Sequence, residues 1–202
     1  MKKRLLLPLL LAGMWATPAM AAPYVSVSAG LGLLNDSDVS TSGGTVNNLI
    51  GYKAGVPVGV AVGVKSDEFR LEGAVGYQSH NIDTVAGVAQ NTNFDVSIWS
   101  FMANGYYDIS AGSSSITPYL TAGLGFDAVN GSGDGGGSFD STVFAWQVGA
   151  GVGFKVSENT VFDLGYRYFR ASDVTVADFG GGSTADISIA GSNILAGIRY
   201  SF

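Results

Sequence analysis

The sequence predicts an all-β fold, an eight-stranded antiparallel transmembrane β-barrel with up-and-down topology. Three observations lead to this prediction. Along eight segments, apolar residues alternate with small or polar ones, which gives each strand one apolar and one mostly polar face. Only 13% of the 202 residues are charged, against about 25% in a typical soluble domain. No apolar run of about 18 residues follows residue 21, so a membrane can be crossed only by strands that pair on both edges and close into a ring.

Residues 1–21 carry the features of a cleaved signal peptide. A basic start is followed by an apolar run, Leu5–Trp15, and by Ala19-Met20-Ala21, which fits the small-x-small cleavage pattern. An uncleaved anchor helix is the alternative, but the apolar run is too short to span a bilayer. Cleavage leaves residues 22–202 as the barrel domain, with 7 basic against 16 acidic residues and a net charge of −9. Such a charge argues against nucleic acid as a partner.

The first two predicted strands show the alternation most clearly. The first, Tyr24–Leu34, sets a row of valines and leucines against serines and glycines. The second, about Tyr52–Val64, carries five valines on one face: Val56, Val58, Val60, Val62 and Val64. Pro57 lacks the N–H that a strand ladder requires and therefore predicts a bulge or a strand start.

Six further strands follow the same period-two pattern. Their predicted bounds are Phe69–His80, Phe94–Ile109, Ile116–Val129, Asp140–Val156, Val161–Ala171 and Asn193–Phe202. The connections after strands one, three, five and seven are long, and the others are short; the long ones are residues 35–51, 81–93, 130–139 and 172–186. Because outer-membrane barrels have short periplasmic turns and long extracellular loops, both termini are predicted to be periplasmic.

The distribution of charge predicts which face meets lipid. One face of the strands carries nearly all of their charges: Arg70, Glu72, Asp127, Lys155, Asp163, Arg167 and Arg199. A soluble lipocalin-like barrel also has eight strands, but there the apolar face points inward. The uncharged face also carries aromatic residues near the strand ends, as interfacial girdles do. We therefore predict a membrane barrel rather than a soluble one.

Five charged residues are predicted to meet inside the barrel: Glu72, Lys155, Asp163, Arg167 and Arg199. Asp163 and Arg199 lie on neighbouring strands and are expected to pair near the periplasmic end, while Arg167 is expected to reach Glu72. The interior of an eight-stranded barrel is just wide enough to be filled by side chains, and a buried charge without a partner is costly. Two interpretations stay open: a salt-bridge plug that closes the lumen, or a narrow or gated polar path.

His80 is the only histidine and the one candidate general base. Ser79 and Asp83 lie near it, as a lipid A-modifying hydrolase site would need, but a rim histidine beside a solvated loop fits the same residues. No metal, phosphate-loop or cofactor motif is present, so no catalytic residue, metal or cofactor is predicted. The acidic loop residues are either solvated or bridged by divalent cations to lipopolysaccharide phosphates.

Motifs in the carboxy-terminal half resemble those of one family. They are Ser100–Asp108, Thr117–Gly125, Phe144–Gly153, Asp163–Phe169 and the Gly-Ile-Arg-Tyr-Ser-Phe ending, with Phe69-Arg-Leu-Glu-Gly-Ala as the match in the first half. The sequence resembles the opacity-protein and surface-antigen family of small Gram-negative outer-membrane β-barrels. The resemblance implies insertion by the outer-membrane assembly machinery, which reads the terminal aromatic strand, so Tyr200 and Phe202 are the expected insertion signal.

The resemblance also implies adhesion or surface-antigen roles carried by extracellular loops. We therefore predict a non-enzymatic protein of the bacterial outer membrane with a structural or surface-interaction role and a plugged lumen. Its expected partners are outer-membrane lipid and lipopolysaccharide, the assembly machinery and a host surface ligand. The alternatives are a small porin-like channel for ions or tiny solutes and, third, a lipid A-modifying enzyme.

Overall fold

The computed structural model describes residues 21–41, 44–85, 87–89, 94–109, 115–133, 138–176 and 185–202. Nearly all of the predicted signal peptide, residues 1–20, lies outside the described residues. The described strands form one antiparallel sheet: β1 Ala22–Leu34, β2 Ser37–Thr41, β3 Gly44–Tyr52, β4 Val58–Ser66, β5 Phe69–Val85, β6 Val88–Ala89, β7 Phe94–Asp108, β8 Ile116–Gly133, β9 Ser138–Lys155, β10 Thr160–Val176 and β11 Ala185–Ser201. Within these ranges there is no helix long and apolar enough to cross a membrane.

Eight of the strands close into a ring, in the order β1-β4-β5-β7-β8-β9-β10-β11 and back to β1. The closing pair runs from Tyr24 opposite Ser201 to Leu34 opposite Gly191. Each strand of the ring therefore has a partner on both edges, which satisfies the backbone groups that lipid cannot. The predicted eight-stranded up-and-down barrel is confirmed, and Phe202 N donates to Pro23 O (3.1 Å), which places both ends of the barrel domain on one rim.

The predicted loop 35–51 is instead a β-hairpin, β2–β3. The pairing of β1 with β4 ends at Ala29 opposite Val58, apart from an isolated bridge beyond it. Above that height β2 pairs with β11 and β3 pairs with β5, so the hairpin continues the wall where β1 and β4 stop. The second strand accordingly begins at Val58, after Pro57, rather than at Tyr52. The polar composition concealed two short strands whose inward residues, Val39 and Ile50, are buried.

The outer surface carries the apolar residues of the predicted lipid face between two rings of aromatic pairs. The lower, periplasmic ring contains Phe69–Tyr107, Phe154–Phe162 and Tyr200–Phe202, and the upper, extracellular ring contains Tyr77–Trp99, Phe126–Phe144 and Trp146–Tyr168. From Phe69 to Tyr77, β5 rises about 26 Å along the strand, or about 20 Å along the normal of a tilted barrel. This height is comparable to the apolar band of about 25 Å in an outer-membrane barrel.

The interior has two layers, one of which the sequence analysis missed. Below the upper aromatic ring the inward side chains are mostly polar, as predicted. Above them lies an apolar layer of nine buried residues: Val96, Ile98, Met102, Val129, Ala145, Phe169, Ala171, Val174 and Ile189. A bulge in β10 between Ala171 and Val174 shifts the alternation by one residue and turns Val174 inward. The barrel therefore continues above the membrane with an apolar core.

Candidate functional site: a polar lumen beneath an apolar layer

A buried ion triad lies at the periplasmic end of the lumen. Arg70, at the start of β5, donates from Nε to Asp108 Oδ1 (3.0 Å), and its Nη2 lies 2.8 Å from the same oxygen. Lys65 Nζ contacts the other oxygen of Asp108. The Arg70 guanidinium also lies over the rings of Tyr106 and Tyr119, 4.2 and 4.9 Å from their centroids. Only 2% of the Arg70 side chain and 5% of the Asp108 side chain are exposed, so water does not screen this pair.

A second ion pair joins the last two strands. Arg199 on β11 donates from Nε to Asp163 Oδ2 (3.1 Å) and from Nη2 to Asp163 Oδ1 (3.3 Å), a two-point contact on neighbouring strands. The Arg199 guanidinium lies 5.6 Å from the centroid of the Tyr24 ring on the closing strand. Arg199 therefore ties together β10, β11 and β1, the three strands at the barrel seam.

Glu72 is held by neutral donors rather than by a cation. Its carboxylate accepts hydrogen bonds from Tyr24 Oη (3.2 Å), Asn104 Nδ2 (3.2 Å) and Tyr106 Oη (3.0 Å). Arg167 Nη2 lies 3.5 Å from Tyr106 Oη, so Tyr106 stands between Arg167 and Glu72. The expected contact of Arg167 with Glu72 is thus replaced by one through a tyrosine.

Lys155 does not join the other four predicted residues of the cluster. It is the last residue of β9 and is exposed at the periplasmic rim. Two residues that the sequence analysis left out take part in the lumen instead, Lys65 and Asp108. Both lie at strand ends, where the sequence gives no sign of whether a side chain belongs to the rim or to the interior.

A cavity of about 130 Å³ occupies the middle of the lumen. It is lined by three guanidinium groups and three carboxylates, so its charges balance: Arg70, Arg167 and Arg199 against Glu72, Asp127 and Asp163. Three buried oxygens in its wall have no protein donor: Gln78 Oε1, Asp127 Oδ1 and Asn193 Oδ1. A neutral cavity that needs hydrogen-bond donors suits a few water molecules.

The apolar layer lies between this cavity and the extracellular ends of the strands. Ile98 and Val129 face each other across β7 and β8, one inward position above Asp127. Both are fully buried, as is Val174 on β10. On the neighbouring strand β5 the buried Gln78 lies opposite Ile98, so apolar and polar side chains share this section of the lumen. Apolar side chains at this height raise the cost for a charged group that moves along the lumen.

The His80 ring does not contact the residues expected of a hydrolase. Its Nδ1 lies 3.1 Å from the Lys53 carbonyl oxygen and its buried Nε2 has no protein partner, so neither ring nitrogen touches Ser79 or Asp83. Asp83 pairs with Lys53 (3.7 Å), and both are solvent-exposed. Among the described residues no group of three His, Asp or Glu side chains is placed to hold a metal ion.

Acid is expected to loosen the junction between His80 and the β3–β4 connection. His80 lies above the upper aromatic ring, and burial lowers its pKa from 6.5, although the Lys53 carbonyl acts the other way. Because the pKa of His80 is lower in the folded than in the unfolded protein, the stabilising contribution of neutral His80 is present above pH 6.5 and is lost as the pH falls below that value. The Lys53 amide, which donates to Asn81 O (2.8 Å), should exchange faster at pH about 5.5 than at about 7.5 after correction for intrinsic rates.

The His80→Gln variant is the matched control for this pH dependence. Glutamine keeps a polar group at the position but does not titrate, so protection of the Lys53 amide should then be independent of pH. An equal loss of protection in wild type and variant would show that a group other than His80 causes the effect.

Comparison with known proteins identifies the family to which this barrel belongs. The family model for the outer membrane protein beta-barrel domain matches residues 7–202. Outer membrane protein PagN of Salmonella typhimurium is 31% identical over 127 residues, covering 55% of this chain and 53% of PagN, so the chain spans about half of that relative. An uncharacterized protein of Brucella abortus is 29% identical over 201 residues, covering 74% of this chain and 69% of its own length.

A solved structure shares the fold. The crystal structure of Neisserial surface protein A matches with a TM-score of 0.58 and 24% identity, covering 90% of this chain and 99% of that protein. The paired ring of strands, the two aromatic rings and the family match agree on a barrel of the bacterial outer membrane. The chain belongs to the outer membrane protein beta-barrel family.

Proposed function

We propose that this protein is a non-enzymatic surface barrel: a closed membrane anchor that presents an extracellular β-structure for interaction with other surfaces. The observation that carries the proposal is the continuation of the wall above the upper aromatic ring, where β2 and β3 replace β1 and β4. The apolar core inside this extension supports a fixed extracellular shape. A pure membrane anchor has no need of such a structure.

The surface of the extracellular part is acidic. Seven exposed or half-exposed carboxylates lie on its described residues: Asp36, Asp38, Asp83, Asp95, Asp140, Asp173 and Asp186. The basic side chains on this surface, among the described residues, are Lys53 and Arg170. Such a rim favours a basic surface ligand on a host cell, or lipopolysaccharide phosphates bridged by divalent cations.

The contacts inside the lumen favour a plugged barrel over one that conducts ions or solutes. Its charges are balanced and largely satisfied within the barrel, and the fully buried Ile98 and Val129 lie on the extracellular side of the cavity. A small channel is the second candidate because the cavity is polar and water-sized. A lipid A-modifying enzyme receives no support, because the His80 nitrogens contact neither Ser79 nor Asp83.

Two measurements test the proposal. Purified, refolded protein in a planar bilayer should show no steady conductance, whereas reproducible openings that disappear in Arg167→Gln would establish the channel instead. Non-adherent bacteria that express the protein should gain adherence to cultured epithelial cells. A variant with Asp140, Asp173 and Asp186 changed to Asn should lose most of that gain at an equal surface level. If expression adds no adherence, the surface-interaction role is wrong.

Loss of the Phe202 side chain is expected to impair insertion, because Tyr200 and Phe202 are the proposed insertion signal. The two rings pack 5.5 Å apart at the lower rim, and 72% of Phe202 is exposed there. Phe202→Ala should reduce the heat-modifiable, folded fraction in outer membranes several-fold. Phe154→Ala, which removes another ring of the same girdle, should leave that fraction nearly unchanged, and Arg199→Ala should also insert. Equal assembly of Phe202→Ala and wild type would refute the signal.

A further inference from the structure

Two adjacent strands of the ring, β1 and β4, carry no aromatic side chain on their outward faces. The single aromatic of β1, Tyr24, points into the lumen and is 1% exposed. Each of the other six strands has at least one exposed ring in the lower or upper girdle. The outward residues of this sector are aliphatic, and we name them the aliphatic panel: Val25, Val27, Ala29, Leu31, Leu33, Val58, Val60 and Val62.

The gap in the girdle is difficult to reconcile with a sector that faces lipid alone. Aromatic rings anchor a barrel at both membrane interfaces, and here they are missing at both levels of the same two strands. The panel lies between Tyr200 on β11 and the Phe69 and Tyr77 rings on β5. About a quarter of the wall therefore lacks the contacts that the remainder makes with lipid headgroups. A protein surface covering this sector would remove the need for them.

The panel has the shape that close packing in a bilayer requires. Val25 lies opposite Val62, and Val27 lies opposite Val60, so β-branched side chains of similar height form a flat surface. Lipid is as apolar as valine, so association inside a membrane depends on close contact rather than on the hydrophobic effect. Valine has few rotamers to lose when another surface packs against it.

We infer that a second copy of this chain covers the aliphatic panel, so that the protein forms a two-fold symmetric dimer in the membrane. From the exposed fractions of its side chains, the panel exposes roughly 650 Å² per copy, which is the most that a contact there could bury, against about 800 Å² per partner in a standard interface. A two-fold axis along the membrane normal keeps both copies in the same orientation and places β1 and β4 against their counterparts. The panel carries no charge that would repel an identical surface.

Cysteine cross-linking in intact outer membranes tests the dimer, since the chain contains no cysteine. Val27→Cys and Val60→Cys place thiols in the panel, and Leu124→Cys places one on the far side of the ring at nearly the same exposure, 60% against 58% for Val60. Treatment with an oxidant or a short bifunctional maleimide should give a species of twice the chain mass from the panel variants, at least ten-fold above Leu124→Cys. Absence of this species from both panel variants, equal cross-linking at Leu124, or an adduct of another mass would overturn the proposal.

A second variant separates a specific interface from random collision. Val62→Trp places a large ring in the panel and should reduce cross-linking through Val27→Cys at least ten-fold, while heat-modifiable migration shows that the barrel still folds. Leu120→Trp, on the opposite side and 53% exposed, should leave the cross-link unchanged. Persistence of the Val27→Cys dimer in the Val62→Trp background would exclude the panel as the contact surface. Neither result depends on the proposed surface-interaction role.

Discussion

Replacing Asp108 by alanine is expected to lower the free energy of unfolding by about 3–5 kcal/mol, because it leaves the buried Arg70 guanidinium without a counterion. Arg70 is 4% exposed and cannot turn to water, and the rings of Tyr106 and Tyr119 that remain supply only part of the lost attraction. Lys65, whose side chain is 35% exposed, can redirect its ammonium group to solvent and should add little to the loss.

Urea unfolding of the refolded protein in lipid vesicles, followed by tryptophan fluorescence and gel migration, measures this effect. Glu158→Ala removes an exposed carboxylate from the periplasmic turn after β9 and controls for the change in net charge; it should cost less than about 0.5 kcal/mol. The double variant Asp108→Ala with Arg70→Met should recover most of the stability, because an apolar pair of similar volume carries no desolvation penalty. If Asp108→Ala proves as stable as wild type, the triad does not stabilise the barrel.

The fold was predictable because lipid imposes a simple rule on the outer face. Within one strand, Phe69 and Leu71 are exposed while Arg70 and Glu72 are buried, and a charged residue on the lipid side would have been costly. Period two and the one-sided charges therefore fix the face on which each side chain lies, and the alternation of short and long connections fixes the strand direction. The same rule placed Arg199 inside, next to a neighbouring strand that carries Asp163.

The apolar layer was not predicted because the rule inverts where a strand leaves the membrane. On β11 the buried apolar residues of the extracellular part, Ile187 and Ile189, occupy odd positions, whereas the exposed ones of the membrane part, Ile194 and Ile198, occupy even positions. The change of parity within a single strand marks the height of the upper interface. The change is concealed if each strand is assumed to have one apolar face along its whole length. Ile98 and Trp99 are an example, because both are apolar neighbours in sequence but only Ile98 is buried.

The contacts between side chains in the lumen could not be predicted from the sequence pattern. Glu72 was expected to meet Arg167, but the tyrosines that bind it reach in from β1 and β7. Tyr24 follows the alternation into the lumen although aromatic rings at strand ends usually suggest a girdle position. Which of several inward donors finds a given carboxylate depends on strand stagger, and the sequence pattern does not specify stagger.

The apolar layer should be as important to stability as the ion triad. Ile98→Ala is expected to lower the free energy of unfolding by about 4 kcal/mol, because the side chain is fully buried against Val129 and its removal leaves a cavity inside a closed ring. Leu124→Ala removes a side chain of equal volume from the lipid face, where 60% of it is exposed. It should cost about 2 kcal/mol or less, since lipid tails fill the space and only the transfer contribution is lost.

The comparison of these two variants decides whether the extracellular half of the barrel is a packed domain or only an extension of loops. If the core is packed, Ile98→Ala should lower the free energy of unfolding by more than Leu124→Ala does. The double variant Ile98→Ala with Val129→Ala should then lose less than the sum of the two single losses, because the two residues share one contact. The same urea unfolding measurement gives the values for Leu124→Ala, for the single variants Ile98→Ala and Val129→Ala, and for the double variant. If Leu124→Ala proves the more damaging change, stability resides in the lipid-facing wall, and the layer above the cavity is too loose to close the lumen.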